Sequence, residues 1–274
     1  MSPAAVEKFN PKKRSALSSK RELQRGGKRA KDVPILEVTL DDVRKDAIQF
    51  GLATDVLYQV SSGKEASIFL ALWNDHPIIL KAYRLWRSAQ ARKAKGFNAL
   101  AQMDAIASRE FDYLFELFHA GVKVPTPIGR VGNYLTMRFI GDGTDPAPQL
   151  KDVVLKQPEK VLDQILDDYL IVYRDAHFVH GDLSKYNILW WKNQHWIIDV
   201  PQARRVNTWS DMHSIEMLLR RDINNLLNYF KGYGIQRDAE EILETMLSEY
   251  IPHNLRNYRE TVSTHIEDTT FHDI

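Results

Sequence analysis

One stretch in the second half of the chain, residues 178–200, restricts the possible fold more than any other. It reads FVHGDLSKYNILWWKNQHWIIDV. Two short apolar runs, Ile188–Trp191 and Trp196–Ile198, flank the dipeptide Lys192-Asn193, which is typical of a tight turn between paired strands. The pattern predicts a β-hairpin that follows a His-Gly-Asp sequence and ends in an aspartate.

This hairpin would bring three polar side chains to one end, namely Asp182, Asn187 and Asp199. One carboxylate can orient a nucleophile, while the amide and the second carboxylate can hold Mg²⁺. An isolated aspartate in a loop is usually a turn or cap residue. An H-x-D-x-x-x-x-N string followed by an apolar strand that ends in aspartate is far more specific, and it predicts a phosphoryl-transfer site.

The strand-rich region before the hairpin adds two candidates, Lys81 and Glu110. Strands are predicted over Val56–Val60, Ser67–Trp73 and Pro77–Tyr83. Lys81 lies within the last of these apolar strands, where a buried ammonium needs a partner, although a lysine at a sheet edge could reach water instead. A helix is predicted from Asn98 to His119, with a core-facing stripe of Leu100, Met103, Ala107, Phe111, Leu114 and Phe118. Glu110 borders this stripe and could meet the lysine, or it could form a surface charge pair.

The remaining pattern predicts an α+β chain with two lobes joined by the Gly/Pro-rich segment 141–148. A short helix is predicted at 39–52, a second hairpin at 128–140, and helices at 159–177, 211–230 and 238–250. The predicted domains are a basic disordered arm (1–31), a helical extension (32–55), a strand-rich lobe (56–141), a mainly helical lobe (142–250) and a tail without clear pattern (251–274).

Composition narrows the class of protein. The chain of 274 residues has no cysteine, which excludes a disulfide framework and thiolate metal sites and fits a reducing cytoplasm. No apolar run approaches the length of a membrane span, and the N-terminus has no apolar stretch of signal-peptide type. Residues 1–31 hold ten lysines and arginines against two glutamates, although the whole chain has a net charge of +1. The arm is therefore either a contact for a polyanion or a solubilising tail.

Lysine, glutamate, aspartate, asparagine and aspartate, in this order, form the pattern of a protein kinase. The predicted fold is a bilobal protein-kinase-like fold with a strand-rich N-lobe, a mainly helical C-lobe and a short activation segment. Several motifs depart from the conventional pattern: the loop at 61–66 has a single glycine, Gly181 replaces the usual arginine, and Asp199-Val200-Pro201 replaces D-F-G. The short segment after Asp199 leaves little room for a peptide-binding platform.

These motifs resemble the RIO family of atypical protein kinases over about residues 50–250. The matching pieces are SSGKEASIF (61–69), IILKAY (78–83), Glu110, MRFIG (137–141), VHGDLSKYNIL (179–189), IIDVPQA (197–203) and LLRRDINNLLNYF (218–230). The loop and the H-x-D-L-S-x-Y-N string resemble the type 1 subfamily, although Pro201 stands where that subfamily usually has serine. A type 2 protein would carry a winged helix, for which the residues before Val56 are too few.

The resemblance implies an atypical serine/threonine kinase or ATPase that uses ATP with Mg²⁺, or Mn²⁺ in its place. Asp182 would be the catalytic base, Asn187 and Asp199 would ligate the metal, and Asp199 could itself accept the phosphoryl group as an ATPase switch. The implied ATP-binding residues are Ser61, Ser62, Gly63, Lys64, Glu65, Ala66, Ser67, Lys81, Glu110, Met137, Phe139, Ile140 and Lys185.

The family also implies a partner, the small ribosomal subunit precursor in late maturation. Under that reading the arm (residues 8–31) and the basic loop (84–95) become RNA contacts in a cytoplasmic protein with no membrane association. Two alternatives stay open on the residues alone. One is a small-molecule kinase of the aminoglycoside or choline type, which shares H-G-D-x-x-x-x-N, and the other is a non-catalytic RNA-binding scaffold. The oligomeric state has no signal in the sequence.

Overall fold

The computed structural model describes residues 39–63, 66–83 and 99–255. The α-helices in these ranges are α1 Leu40–Gln49, α2 Ala99–His119, α3 Pro158–Arg174, α4 Met212–Phe230 and α5 Ala239–Glu249. The longer strands are β1 Asp55–Ser62, β2 Ala66–Trp73, β3 His76–Tyr83, β4 Pro127–Val131, β5 Tyr134–Arg138, β9 Ile188–Trp191 and β10 Gln194–Ile197. Two-residue strands are β6 Gly141–Asp142, β7 Asp145–Pro146, β8 Phe178–Val179 and β11 Arg204–Arg205.

The chain divides into two compact units. Unit 1 comprises the residues up to Phe115 together with Pro125–Pro146, and unit 2 comprises Glu116–Val124 together with the residues from Ala147 onward. The division after Pro146 falls inside the Gly/Pro-rich segment 141–148. Helix α2 supplies residues to both units.

Unit 1 is built on a five-stranded antiparallel sheet in the order β1-β2-β3-β5-β4. Strands β2, β3 and β5 are buried along most of their length rather than at alternate positions, and helix α1 packs into the core on one face of the sheet. The buried side chains of this core are Val43, Ala47, Leu52, Ala53, Val56, Phe69, Ala71, Ile78, Leu80, Ala82, Val131 and Tyr134. Strand β3 lies in the middle of the sheet, so its side chains have neighbours on both sides.

Helix α1 begins at a capping box, and one buried polar contact joins it to this sheet. The Thr39 hydroxyl accepts a hydrogen bond from the backbone N–H of Asp42, and the Asp42 carboxylate accepts one from the backbone N–H of Thr39. The Tyr134 hydroxyl donates to the buried Asp46 carboxylate at 2.7 Å. Burial and this carboxylate raise the pKa of Tyr134, so the phenol keeps the proton that it donates.

Unit 2 contains helices α3, α4 and α5 and the hairpin of β9 and β10. The hairpin turns at Lys192 and Asn193, which both have positive φ angles, 50° and 58°, as a two-residue turn of this kind requires. The predicted hairpin is therefore present, with strands within one residue of those read from the sequence at three of its four ends. Short strands β8 and β11 pair antiparallel with each other.

Two details of the helices differ from the sequence reading. Met103, Ala107 and Leu114 of α2 are buried as predicted, but Phe118 is 44% exposed. The last turn of α2 belongs to unit 2, so the apolar stripe no longer runs along unit 1 at that point. Helix α3 ends at Arg174, three residues before the predicted end, because His177 takes a left-handed backbone conformation with φ 58°.

Several other predictions fall on residues outside the described ranges. These include the arm at 1–31 and the loop at 84–95, and only residues 251–255 of the tail are described. None of the helices in the described ranges combines the length and the apolarity needed to cross a lipid bilayer.

Candidate active site

Unit 1 contributes a buried ion pair. Lys81 lies in β3, with Ile68 of β2 and Leu135 of β5 as its neighbours across the sheet. Its Nζ atom lies 2.9 Å from Oε1 and 3.0 Å from Oε2 of Glu110 in α2. The two side chains are 7% and 1% exposed. The contact expected from the sequence is present, and each charge is buried with its counter-charge, as burial requires.

The loop between β1 and β2 is the predicted phosphate loop. Its first part, residues 61–63, is exposed, whereas Ala66 and Ser67 are buried. The backbone N–H of Gly63 donates to the carbonyl of Ala66 at 2.9 Å, which closes the loop at its base. Lys64 and Glu65 lie outside the described residues.

The predicted hinge follows β5. Met137, Phe139 and Ile140 are all buried, with exposed fractions of 7%, 7% and 3%. Met137 pairs with Ile79 of β3, so this segment is part of the same sheet as Lys81. Its contact with adenine stays a prediction.

Unit 2 contributes the loop between β8 and β9. The Asn187 amide nitrogen donates to the backbone oxygen of Asp182 at 2.8 Å and to its carboxylate at 3.0 Å. The loop thus folds back so that the predicted metal ligand touches the predicted base. Since the amide nitrogen is used as a donor here, the amide oxygen is the atom that can face a cation.

Asp199 lies where the hairpin ends. The backbone N–H of Ile198 donates to the carbonyl of Asn187 at 2.9 Å, which ties the two ends of the hairpin together. Asp199 is exposed and has a φ of 64°. Left-handed backbone outside glycine is uncommon and occurs often at functional sites. The structure therefore brings Asp182, Asn187 and Asp199 to one end of the hairpin, as predicted.

Asp222 of α4 holds the same loop and was missed as a site residue. It is fully buried, and its carboxylate accepts hydrogen bonds from the backbone N–H groups of Gly181 at 2.7 Å and Leu183 at 3.1 Å. The Tyr169 hydroxyl donates to it at 2.7 Å. Burial raises the pKa of Asp222, and the nearby His180 and these three donors offset only part of that effect. The available signal was the place of Asp222 on the buried face of α4, one helical turn from Leu219 and from Leu226.

The imidazole of His180 joins the loop to the end of the hairpin. Its Nε2 lies 3.1 Å from the carbonyl oxygen of Ile198, and its Nδ1 accepts from the backbone N–H of Asp182 at 3.3 Å. Because a carbonyl can only accept, Nε2 carries the proton and Nδ1 is the acceptor. His180 therefore holds the residues beside Asp182 and Asp199 in a fixed relation.

Gly181 allows the close approach of two segments. Its φ is 77°, and a Cβ atom at this position would lie 2.8 Å from the backbone oxygen of Gln202. The segment after Asp199 thus packs directly on the backbone of the loop. The glycine that departs from the usual kinase pattern is required by this contact.

Lys185 lies beside two aromatic rings. Its Nζ atom is 5.4 Å from the ring centroid of Tyr186 and 5.8 Å from that of Tyr229. Both distances suit a cation–π contact. The structure therefore places this predicted ATP-binding lysine in the same loop as Asp182 and Asn187.

The candidate metal ligands suit Mg²⁺ better than they suit a metal that needs a complete shell of protein ligands. In the described part of the chain, no cluster of three or more His, Cys, Asp or Glu side chains is suited to a metal ion. Mg²⁺ commonly takes one or two protein oxygens and completes its shell with water and substrate phosphates. The Asn187 amide oxygen and the Asp199 carboxylate are a set of that kind.

Comparisons with known proteins agree with this geometry. The RIO domain matches residues 63–242 of the chain. The chain is 30% identical over 198 residues to the RIO-type serine/threonine-protein kinase Rio1 of Haloferax volcanii and 38% identical over 136 residues to that of Thermoplasma acidophilum. These alignments cover 68% and 50% of this chain and 66% and 69% of the relatives. The human serine/threonine-protein kinase RIO1 is 27% identical over 220 residues, which is 74% of this chain but 38% of that protein.

Solved structures agree on the fold. The Rio2 kinase of Chaetomium thermophilum matches with a TM-score of 0.63 at 16% identity, over 94% of this chain and 88% of that chain. Its ADP/Mg²⁺-phosphoaspartate complex matches with a TM-score of 0.60 at 18% identity, over 85% and 76%.

The antiparallel sheet of unit 1 and the helices of unit 2 are those of a protein-kinase-like fold, and the predicted α+β class is confirmed. The chain belongs to the RIO family, and within it to the type 1 atypical serine/threonine kinases. The family and subfamily predicted from the motifs are therefore confirmed.

Proposed function

We propose that this chain is an active kinase and ATPase that uses ATP with Mg²⁺. The observation that carries the proposal is the bond between Asn187 and Asp182, which leaves the amide oxygen to face a cation beside a carboxylate. Asp199, at the other end of the same hairpin, supplies the second metal ligand. The Rio2 structure with ADP and Mg²⁺ supports this choice of nucleotide and ion.

Unit 1 would bind the nucleotide. Lys81 contacts the ATP phosphates, and Glu110 holds the lysine in its extended position. The loop at 61–67 covers the triphosphate, and the hinge residues at 137–140 contact adenine. In unit 2, Lys185 adds a cation toward the phosphates from the same loop as the catalytic base. The positive charges of Lys81 and Lys185 suit the negative charge of a triphosphate.

Two phosphoryl acceptors fit the site. In the first, Asp182 accepts the proton of a serine or threonine hydroxyl as its oxygen bonds to the γ-phosphorus, and the bond to the ADP oxygen breaks. In the second, a carboxylate oxygen of Asp199 attacks the γ-phosphorus, ADP leaves, and water later hydrolyses the acyl phosphate. The exposed, left-handed Asp199 supports the second route, and so does the phosphoaspartate of the Rio2 complex.

Turnover of γ-labelled ATP with Mg²⁺, followed by hydroxylamine treatment of the labelled protein, tests both routes. We expect label that hydroxylamine releases and that Asp199→Ala abolishes. Asp182→Asn should lower turnover about 10²–10⁴-fold, because it removes the base that would take a proton from the acceptor hydroxyl in the first route or from the hydrolytic water in the second. Hydroxylamine-stable label on serine or threonine would favour the first route. Absence of turnover with Mg²⁺ or Mn²⁺, or transfer to an amino alcohol or aminoglycoside, would contradict the proposal.

We further propose that the cellular partner is the small ribosomal subunit precursor in the cytoplasm, which the chain would bind late in the maturation of that particle. The basic arm and the loop at 84–95 would contact its RNA through phosphates. Small-subunit particles should then stimulate ATP turnover. Deletion of residues 1–31 should weaken RNA binding and flatten its salt dependence, and an unchanged salt slope would remove the arm from the proposal.

A further inference from the structure

A buried polar cluster connects strand β10 of the β9–β10 hairpin to helix α3. The Nε2 atom of His195 in β10 lies 2.8 Å from Oδ2 of Asp168 in α3. The Nζ atom of Lys123, in the segment after α2, lies 3.4 Å from the same oxygen. The side chains of His195 and Asp168 are 1% and 10% exposed. The sequence alone gave no reason to distinguish His195 from an ordinary polar residue.

The cluster contains a charged carboxylate. Burial alone would raise the pKa of Asp168, but the hydrogen bond and charge of His195 together with the charge of Lys123 outweigh burial and lower the pKa below its ordinary value. Because the carboxylate can only accept, the Nε2 atom of His195 carries the proton in this contact. The direction of the hydrogen bond is therefore fixed, from the hairpin to the helix.

The same three residues form a closed circuit with the hairpin backbone. The N–H of Ile197 donates to the carbonyl of Lys123 at 2.8 Å. Lys123 thus binds β10 through its backbone and approaches Asp168 through its side chain, while Asp168 receives His195 from the same strand. Ile197 lies two residues before Asp199, so this circuit fixes the strand that delivers the second proposed metal ligand.

Stability alone does not explain such a cluster. Buried ion pairs contribute little net stability compared with apolar residues of similar volume, because removing the charges from water costs about as much as their attraction returns. What a directed pair adds is a single defined position for the two elements that it joins. Here those elements are helix α3 and the hairpin whose ends carry Asn187 and Asp199.

We propose that Asp168 and His195 are positioning residues for the metal site, a role that rests on the proposed function. They hold the hairpin in the one position in which Asn187 and Asp199 can ligate a cation together. Neither touches the metal. Without the pair, the hairpin keeps its fold but samples several positions on α3, so each metal-binding event must also order it.

The test compares three variants of the full chain. His195→Leu removes the donor, and His195→Gln restores one, since its amide nitrogen occupies nearly the same place as Nε2. Tyr173→Phe is the matched control, because it removes a part-buried hydrogen bond that the hydroxyl of Tyr173, on the same helix, donates to the carbonyl of Tyr250 at 2.9 Å. Thermal unfolding establishes that each variant folds.

Two readouts follow the metal. The first is the Mg²⁺ concentration that half-saturates ATP turnover, and the second is Mn²⁺ binding in the presence of ADP, measured by electron paramagnetic resonance. We expect His195→Leu to weaken both by about five- to tenfold, at or below the lower end of the effects seen when a residue that orients a metal ligand is changed. Turnover at saturating Mg²⁺ should stay within about twofold, and His195→Gln should restore metal binding. Tyr173→Phe should lower the unfolding temperature and leave both metal readouts unchanged.

The failures can be told apart. If the unaltered chain neither turns over ATP nor binds Mn²⁺ with ADP, the proposed function and this role fall together. If it does both and His195→Leu has the same metal requirement, only the positioning role is wrong. The role is also wrong if the glutamine variant behaves like the leucine variant, or if turnover falls equally at every Mg²⁺ concentration.

Discussion

The two units hold their candidate functional residues in different ways. In unit 1 two side chains that are far apart in sequence, Lys81 and Glu110, contact each other directly. In unit 2 three candidate residues lie within eighteen positions, and backbone contacts with His180 and Asp222 set their geometry. Both members of a charge pair can be replaced together by apolar residues. No simple substitution replaces the contacts of a loop that is held through its backbone.

Breaking the ion pair of unit 1 should have the largest effect on stability. Glu110→Leu leaves the Lys81 ammonium buried without its carboxylate, and we expect a loss of about 3–5 kcal/mol in the free energy of unfolding. The double variant Lys81→Met with Glu110→Leu should recover most of this loss and have no ATP turnover. Urea unfolding followed by tryptophan fluorescence measures the first effect. A double variant as unstable as the single one would show that the pair does not act as a unit.

Asp222→Asn tests the backbone-held loop of unit 2. An amide offers one acceptor oxygen where the carboxylate offers two, so it cannot serve Gly181, Leu183 and Tyr169 together. We expect a loss of about 2–3 kcal/mol, since a buried donor is left without a partner, and a fall in ATP turnover. Asn224→Ala, which removes an exposed contact within the same helix, is the control and should change stability by less than about 0.5 kcal/mol. Equal losses in the two variants would argue against a special role for Asp222.

Gly181→Ala should cost less but act more directly on the site. The new Cβ atom would lie 2.8 Å from the Gln202 oxygen, at a φ of 77°. Gly234→Ala is a matched control with the same φ of 77° and no atom within 4 Å of the new Cβ. Left-handed backbone alone should cost each variant about 1–2 kcal/mol, and only Gly181→Ala should lose turnover. Thermal unfolding and ATP turnover of the pair separate crowding from backbone strain.

The smallest expected effect is on the pH dependence of stability, to which two buried carboxylates of unit 2 contribute with opposite signs. Asp168 has a lowered pKa, so its contribution to stability is present above the ordinary aspartate pKa and is lost as pH falls through the lowered value. Asp222 has a raised pKa, so its contribution is present below the ordinary value and is lost as pH rises through the raised one. Each slope is at most about 1.4 kcal/mol per pH unit. Urea unfolding is measured from pH 3 to 6.5 for the unaltered chain and for the Asp168→Asn and Asp222→Asn variants. The difference in stability between the unaltered chain and each variant should change with pH in opposite directions for the two aspartates.

The sequence predicted best what depends on short-range pattern. Lys192-Asn193 defines the hairpin turn, and the hairpin in turn places Asn187 and Asp199. The contact of Lys81 with Glu110 was also predicted, because a lysine in a central apolar strand requires a carboxylate and the next helix supplies one.

What the sequence did not predict depends on contacts between elements remote from each other. Asp222 lies 41 residues after Gly181, and Asp168 lies 27 residues before His195; no periodicity links such pairs. Helix α3 ends early because of the left-handed His177, a backbone choice that side-chain type does not reveal. The two-residue strands β8 and β11 are too short to show any alternation.

The crowding at Gly181 also limits how this gene can vary. Every single-base change in a glycine codon that alters the amino acid introduces a Cβ atom or a stop. Since that atom would lie 2.8 Å from the Gln202 backbone oxygen, no single-base change that alters the amino acid at position 181 keeps the same packing. A compensating change at Gln202 cannot relieve the contact either, because the crowded atom belongs to the backbone that every residue shares. Another residue can replace Gly181 only if the whole segment that follows Asp199 shifts.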